Sequence, residues 1–111
     1  MKQYTMDQLR EEDYARILAF LEKNAEKSAF GDIFWLEMPE DFFSEVQAEH
    51  AATCSPYYFA VCLDQTRVEF EFLVRSRQKL RCACVGYADR RQREYIMSFA
   101  DTMLERLGIK L

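Results

Sequence analysis

The strongest constraint on the fold is an alternation of apolar and polar side chains between residues 57 and 87. Its central segment places apolar residues at every second position and more polar ones between them: Val68, Phe70, Phe72 and Val74 alternate with Glu69, Glu71, Leu73 and Arg75. A period of two is typical of a β-strand with one buried face. Short polar stretches at 64–67 and 76–79 separate this segment from similar ones on both sides. The sequence therefore predicts a three-stranded antiparallel meander.

Turn lengths suggest how these strands pair. A two-residue turn at Gln65-Thr66 would place Leu63 opposite Val68 and Phe59 opposite Phe72. A three-residue turn at 77–79 would place Val74 opposite Cys82. Both registers collect apolar side chains on one face, and a slip by one residue would destroy that agreement.

The flanking segments have helical patterns. Thr5 and Gln8 have the spacing of a capping box, and apolar residues then recur at helical intervals, so we expect a helix over 7–27. Residues 33–38 are apolar and aromatic, which predicts a strand. A short helix follows Pro39 and extends to about Ala51.

The last helix is predicted to begin after Ala88. Asp89 and Gln92 form an N-cap pair, and Gly108 is placed just beyond the helix end. The order α-β-α-β-β-β-α predicts a single α+β domain over 1–111. Its antiparallel meander sheet would have three to four strands, with N- and C-terminal helices and a short middle helix packed on one face.

Composition narrows the function classes. The chain has 111 residues, 50% of them hydrophobic, and a net charge of −4. A membrane-spanning helix needs roughly 20 apolar residues, far more than the run at 57–63, and the N-terminus has no apolar signal region. We therefore expect a cytoplasmic protein that does not enter membranes. Because the net charge is negative, we do not expect nucleic acid to be a partner.

The outer face of the predicted meander is more apolar than a solvated sheet face usually is. It would show Tyr58, Ala60, Leu73, Ala83, Val85 and Tyr87. Contiguous apolar patches often mark interfaces. We expect a non-enzymatic module that forms a homodimer or binds a protein partner through this face. The alternative is that the 33–38 strand, the short helix or a terminus covers it.

Two arginines would lie opposite each other on that face. The predicted register pairs Arg75 with Arg81, and like charges at such positions destabilise a sheet. An anion, an acidic partner or the nearby Glu71 would compensate. The alternative is that both side chains extend into water.

Four residues have the ligand types of a zinc site. His50, Cys54, Cys82 and Cys84 together make a Cys3His set, and zinc binding is the alternative function. His50 and Cys54 would share one face of a helix. However, Cys82 and Cys84 would be ~6.7 Å apart along a strand, which is wide for one ion. Buried structural thiols are the competing interpretation.

Catalysis is not expected. His50 is the only histidine, three glycines leave no phosphate-binding loop, and there is no G-x-S-x-G motif. Apart from zinc in the alternative interpretation, the sequence predicts no cofactor.

Overall fold

The structure, a computed structural model, describes residues 2–110 and has an α+β fold. The strands in this range are β1 (Gln3–Met6), β2 (Glu26–Lys27), β3 (Ile33–Glu37), β4 (Tyr57–Leu63), β5 (Val68–Glu71), β6 (Leu73–Ser76) and β7 (Gly86–Tyr87). The helices are α1 (Glu11–Asn24), α2 (Glu45–Glu49), α3 (Ala51–Cys54) and α4 (Arg90–Arg106), with a 3-10 turn at Glu40–Phe42. None of the helices within residues 2–110 is long and apolar enough to cross a membrane.

The sheet is antiparallel, and five of its strands lie side by side in the order β1-β5-β4-β3-β2. Beyond the end of β5, the strand β6 pairs with β4 and β7 pairs with β6. The helices α1 and α4 contribute apolar side chains to the same core as the inner face of the sheet. Fully buried members of this core include Ile17, Leu21, Phe34, Phe59, Phe70 and Ile96.

The best-patterned parts of the sequence fold as predicted. Leu63 pairs with Val68 and Val61 pairs with Phe70, so the predicted register of the first hairpin is confirmed between residues 61 and 70. The predicted 33–38 strand is β3, and it pairs with β4. Asp89 and Gln92 form the expected reciprocal capping box at the start of α4.

The prediction of a helix starting at residue 7 is wrong. Residues 3–6 form the edge strand β1, which pairs with β5, and α1 begins only at Glu11. The buried carboxylate of Asp13 accepts hydrogen bonds from the side chain and the backbone N–H of Arg10. The Arg10 side-chain bond, followed by the backbone bond, lowers the pKa of Asp13 below its ordinary value. The capping interaction thus exists, but five residues later than Thr5 and Gln8 would place it.

The prediction of a third long meander strand over 80–87 is also wrong. Val74 pairs with Gly86 and not with Cys82, so only the last two residues of that segment are a strand. Residues 77–85 form a loop instead. The prediction failed because Ala83 and Val85 alternate with Cys82 and Cys84 in this loop, and a period of two is also typical of a strand.

A break between β5 and β6 explains a further change of register. Val61 lies opposite Phe70 but Tyr58 lies opposite Arg75, so two extra residues are accommodated on the β5–β6 side. Such a bulge bends the strand. The amide of Phe72 donates to the carbonyl of Lys2, and its own carbonyl accepts from Ala88. The predicted pairing of Phe59 with Phe72 is therefore wrong.

Candidate metal centre

The structure brings His50, Cys54, Cys82 and Cys84 together. One imidazole nitrogen and the three sulfur atoms all lie within 4.8 Å of one another. The first two residues come from the segment before β4, and the other two come from the loop before β7. The cluster therefore joins parts of the chain that are about thirty residues apart in sequence.

The helical half of the cluster consists of His50 and Cys54, and it lies where two short helices meet. His50 ends α2 and precedes α3, with φ and ψ of −97° and 5°. The amide of Cys54 donates to the carbonyl of His50 at 2.9 Å. This single helical turn places both side chains on the same side of the segment, as their spacing predicts.

The loop half of the cluster consists of Cys82 and Cys84, and a tight turn determines the positions of these two residues. The amide of Val85 donates to the carbonyl of Cys82 at 3.0 Å, which closes a turn over residues 82–85. In an extended strand the two cysteines would lie too far apart to bind one ion, and this distance was the objection to a zinc site in the sequence analysis. The turn removes that objection, because it directs the sulfur atoms of Cys82 and Cys84 to the same point.

Two separations within the cluster can be compared with those of a tetrahedral site. Cys54 Sγ and Cys82 Sγ are 3.8 Å apart, and two sulfurs each ~2.3 Å from a tetrahedral zinc ion are separated by about 3.8 Å. His50 Nδ1 lies 3.0 Å from Cys82 Sγ, whereas zinc would hold such a pair about 3.6 Å apart. A bound ion would therefore require the imidazole to move by roughly half an ångström.

The environment favours a thiolate at Cys82. The polar groups of Cys84, its backbone N–H first and then its side chain, lower the pKa of Cys82, and the His50 ring, 3.0 Å from Cys82 Sγ, lowers it further. Burial raises the pKa of Cys84. Since zinc binds the thiolate form of cysteine, Cys82 is more readily ionised for metal binding than Cys84, which a metal cation would ionise on binding.

A buried amide pair supports the loop half. Gln47 Nε2 donates to the carbonyl of Cys84 at 3.2 Å, and its Oε1 accepts from Gln92 Nε2 at 2.7 Å. Gln92 Nε2 also donates to the carbonyl of Phe42. Each glutamine belongs to a capping box, the first with Ser44 and the second with Asp89. These hydrogen bonds connect the N-termini of α2 and α4 to each other and to the 77–85 loop.

Sequence reasoning missed Gln47. The signal was present in the spacing of Ser44 and Gln47, which is that of a capping box. What the spacing could not indicate is the second role of the Gln47 amide, which bonds a carbonyl 37 positions away.

Ser76 connects the start of the loop to the helical half. Its hydroxyl donates to the carbonyl of Cys54 and accepts from the amides of Gln78 and Lys79. The 77–85 loop is therefore anchored beside Cys54 at one end and beside Gln47 at the other.

The residues of the predicted interface are divided between different places. Tyr58 and Ala60 lie on the outer face of β4, beside Trp35 of β3. Leu73 pairs with Tyr87 in the separate β6–β7 ladder. Ala83 and Val85 lie in the loop, so the prediction that they share one outer sheet face with Tyr58 and Ala60 is wrong.

The predicted contact between Arg75 and Arg81 is absent from the described residues 2–110. Arg75 lies opposite Tyr58 and forms an ion pair with Glu71 at 2.9 Å. Arg81 is exposed in the loop. Because the predicted register is wrong here, the arginines do not repel each other across two strands.

Comparison with known proteins gives no relative. No protein-family model, no curated protein and no solved structure matches the chain.

Proposed function

We propose that this protein is a small zinc-binding domain with a Cys3His site formed by His50, Cys54, Cys82 and Cys84. The observation that carries the proposal is that these four ligand atoms lie within 4.8 Å of one another. Three cysteines and one histidine are a common ligand set of structural zinc. The site would fix the 77–85 loop to the α2–α3 segment.

The number of ligands favours a structural role over a catalytic one. Catalytic zinc sites keep one position open for water or substrate, whereas structural sites use four protein ligands. Here four protein groups converge, and two of them, Cys54 and Cys84, are buried. A zinc ion held in this way would stabilise the fold rather than activate water.

Metal content tests the proposal. Protein expressed with zinc in the medium and purified without metal affinity resin is expected to contain one zinc ion per chain by elemental analysis. Cys62→Ser is the matched control and should keep its zinc, because Cys62 lies on β4 beside Glu71 and outside the cluster. Cys54→Ser and Cys84→Ser are expected to lose it.

Cobalt provides a second measurement that does not depend on the variants. Wild-type protein titrated with Co²⁺ should show the visible absorption of tetrahedral cobalt with thiolate ligands, saturating at one ion per chain. Wild-type protein that contains no zinc and gives no tetrahedral cobalt spectrum would overturn the proposal.

A second candidate function is self-association through the outer sheet face. Its support is the side chain of Phe30, which is 81% exposed. Phe30 borders a groove of about 190 Å³ that is also lined by Ile33, Trp35, Tyr58 and Ala60, with the ion pair of Glu71 and Arg75 at its polar side. Exposed apolar surface of this kind is typical of interfaces, and a second copy of the chain is the occupant we propose.

Sedimentation tests this second candidate. Wild-type protein at micromolar concentration is expected to sediment as a dimer, and Phe30→Asp as a monomer, because the substitution would bury a charge in the interface. Leu80→Asp is the matched control, since Leu80 is 92% exposed but lies in the 77–85 loop. A monomeric wild type, or equal dissociation by both variants, would contradict the candidate.

A further inference from the structure

Two sulfur atoms of the cluster lie close enough for direct oxidation. Cys54 Sγ and Cys82 Sγ are 3.8 Å apart and belong to different segments of the chain. A disulfide bond needs a separation of ~2.05 Å. The remaining distance can be closed by a small movement of the 77–85 loop, because Cys82 lies in that loop and not in a strand.

The two cysteines differ in their access to solvent. Cys54 is fully buried, whereas Cys82 is half-buried and can be approached from solvent. This is the arrangement of an attacked cysteine beside a resolving one, which is typical of thiol-based redox sensors.

We propose that Cys54 and Cys82 form a reversible disulfide bond on exposure to hydrogen peroxide. The disulfide would remove two ligands from the zinc site and release the ion. Release of zinc depends on the proposed function, whereas formation of the disulfide does not, because the two sulfurs are adjacent without any metal.

The chemistry balances with peroxide as the oxidant. The sulfur of Cys82 attacks one peroxide oxygen, the O–O bond breaks, and water leaves with the thiol proton, so that a sulfenic acid forms. The sulfur of Cys54 then attacks the Cys82 sulfur, the S–O bond breaks and a second water leaves. Two thiols are oxidised, and one peroxide is reduced to two waters.

The other cysteines are poorer partners. Cys62 lies on the outer face of β4, where burial, followed by the charges of Glu71 and Glu69, raises its pKa to about 11. Cys84 is separated from Cys82 by one residue within a tight turn, so a bridge between them would close a small strained ring. Cys54 reaches Cys82 across the cluster with no such constraint.

Metal-free wild-type protein provides the direct test. After treatment with a small molar excess of hydrogen peroxide and alkylation of the remaining thiols, two of the four cysteines should resist alkylation. Peptide mapping should find one bridge, between Cys54 and Cys82, which dithiothreitol reverses. Cys62→Ser and Cys84→Ser should still form it, and Cys54→Ser and Cys82→Ser should not.

Three results would overturn the proposal. The first is that all four thiols of the metal-free wild type remain available for alkylation, and the second is that the bridge joins a different pair. The third is that Cys82 is converted to sulfinic acid, which dithiothreitol does not reduce.

A separate experiment examines the metal. Zinc-loaded protein treated with the same peroxide is expected to release its zinc to a chromogenic chelator, in parallel with disulfide formation. If the wild type binds no zinc, this second experiment fails and the proposed function fails with it. The disulfide is still judged on metal-free protein, so the two failures are distinguishable. Retention of zinc by protein that carries the Cys54–Cys82 disulfide would overturn the proposed release.

Discussion

Removal of zinc by a chelator is expected to lower the midpoint of thermal unfolding by about 15 °C. A ligand that binds only the folded state stabilises it by about 4 kcal/mol when its free concentration is a thousand times Kd. For a domain of this size, each kcal/mol shifts the midpoint by roughly 4 °C. The measurement is calorimetry of wild-type protein in zinc-buffered solution, with and without excess EDTA.

The size of the effect follows from where the ligands lie. Cys82 and Cys84 belong to a loop without strand pairing of its own between residues 77 and 85. Ser76 and Gln47 anchor the two ends of this loop by hydrogen bonds, and the amide of Arg77 donates to the carbonyl of Pro56. Coordination would add two bonds from the loop, at Cys82 and Cys84, and two from the α2–α3 segment, and would thereby cross-link these two parts of the chain.

Two variants make this prediction specific. Cys62→Ser should show the same response to EDTA as the wild type, because Cys62 is remote from the cluster. Cys82→Ser should unfold at one temperature with or without the chelator. An EDTA response of equal size in the wild type and in Cys82→Ser would mean that the chelator acts elsewhere.

Substitution of Gln92 by alanine is expected to lower the free energy of unfolding by about 3 kcal/mol. A buried polar group that loses its partner costs about 1–3 kcal/mol, and this substitution affects more than one. Gln92 is 1% exposed, and its amide donates to the carbonyl of Phe42 and to Gln47. Its Oε1 also accepts from the amide of Asp89.

Urea unfolding of Gln92→Ala measures this loss. The matched control is Gln65→Ala, because Gln65 is exposed in the turn between β4 and β5 and surface changes usually stay within about 0.5 kcal/mol. Since Gln92 orients Gln47, which bonds the carbonyl of Cys84, weaker zinc binding should accompany the lower stability. Equal stabilities of Gln92→Ala and Gln65→Ala would show that the amide pair contributes little.

Local patterns predicted the first hairpin and the last helix well. The turn at Gln65-Thr66 is short, so the pairing of Leu63 with Val68 is determined by a few residues and by the burial of one face. The capping of α4 depends only on Asp89 and Gln92, which are three residues apart. Interactions that close within a few residues are visible in sequence.

The second half of the meander could not be predicted in the same way. Residues 80–87 alternate like a strand, but the chain bulges at Phe72, whose backbone bonds to Lys2 and Ala88. Lys2 immediately precedes β1. The sequence pattern did not predict this strand, because it placed Thr5 and Gln8 at the start of a helix. A long-range partner of this kind has no local signal.

By itself the sequence determined the α+β class, the register of one hairpin and the ligand types at His50, Cys54, Cys82 and Cys84. Those results depend on side-chain chemistry and on periodicity, which are properties of neighbouring residues. Only the tertiary structure decided that residues 82–85 turn and do not extend, because the carbonyl of Cys84 accepts from Gln47 and because β6 and β7 pair over only two residues each. Cys82 and Cys84 would be too far apart on an extended strand, and because of this turn both belong to one cluster.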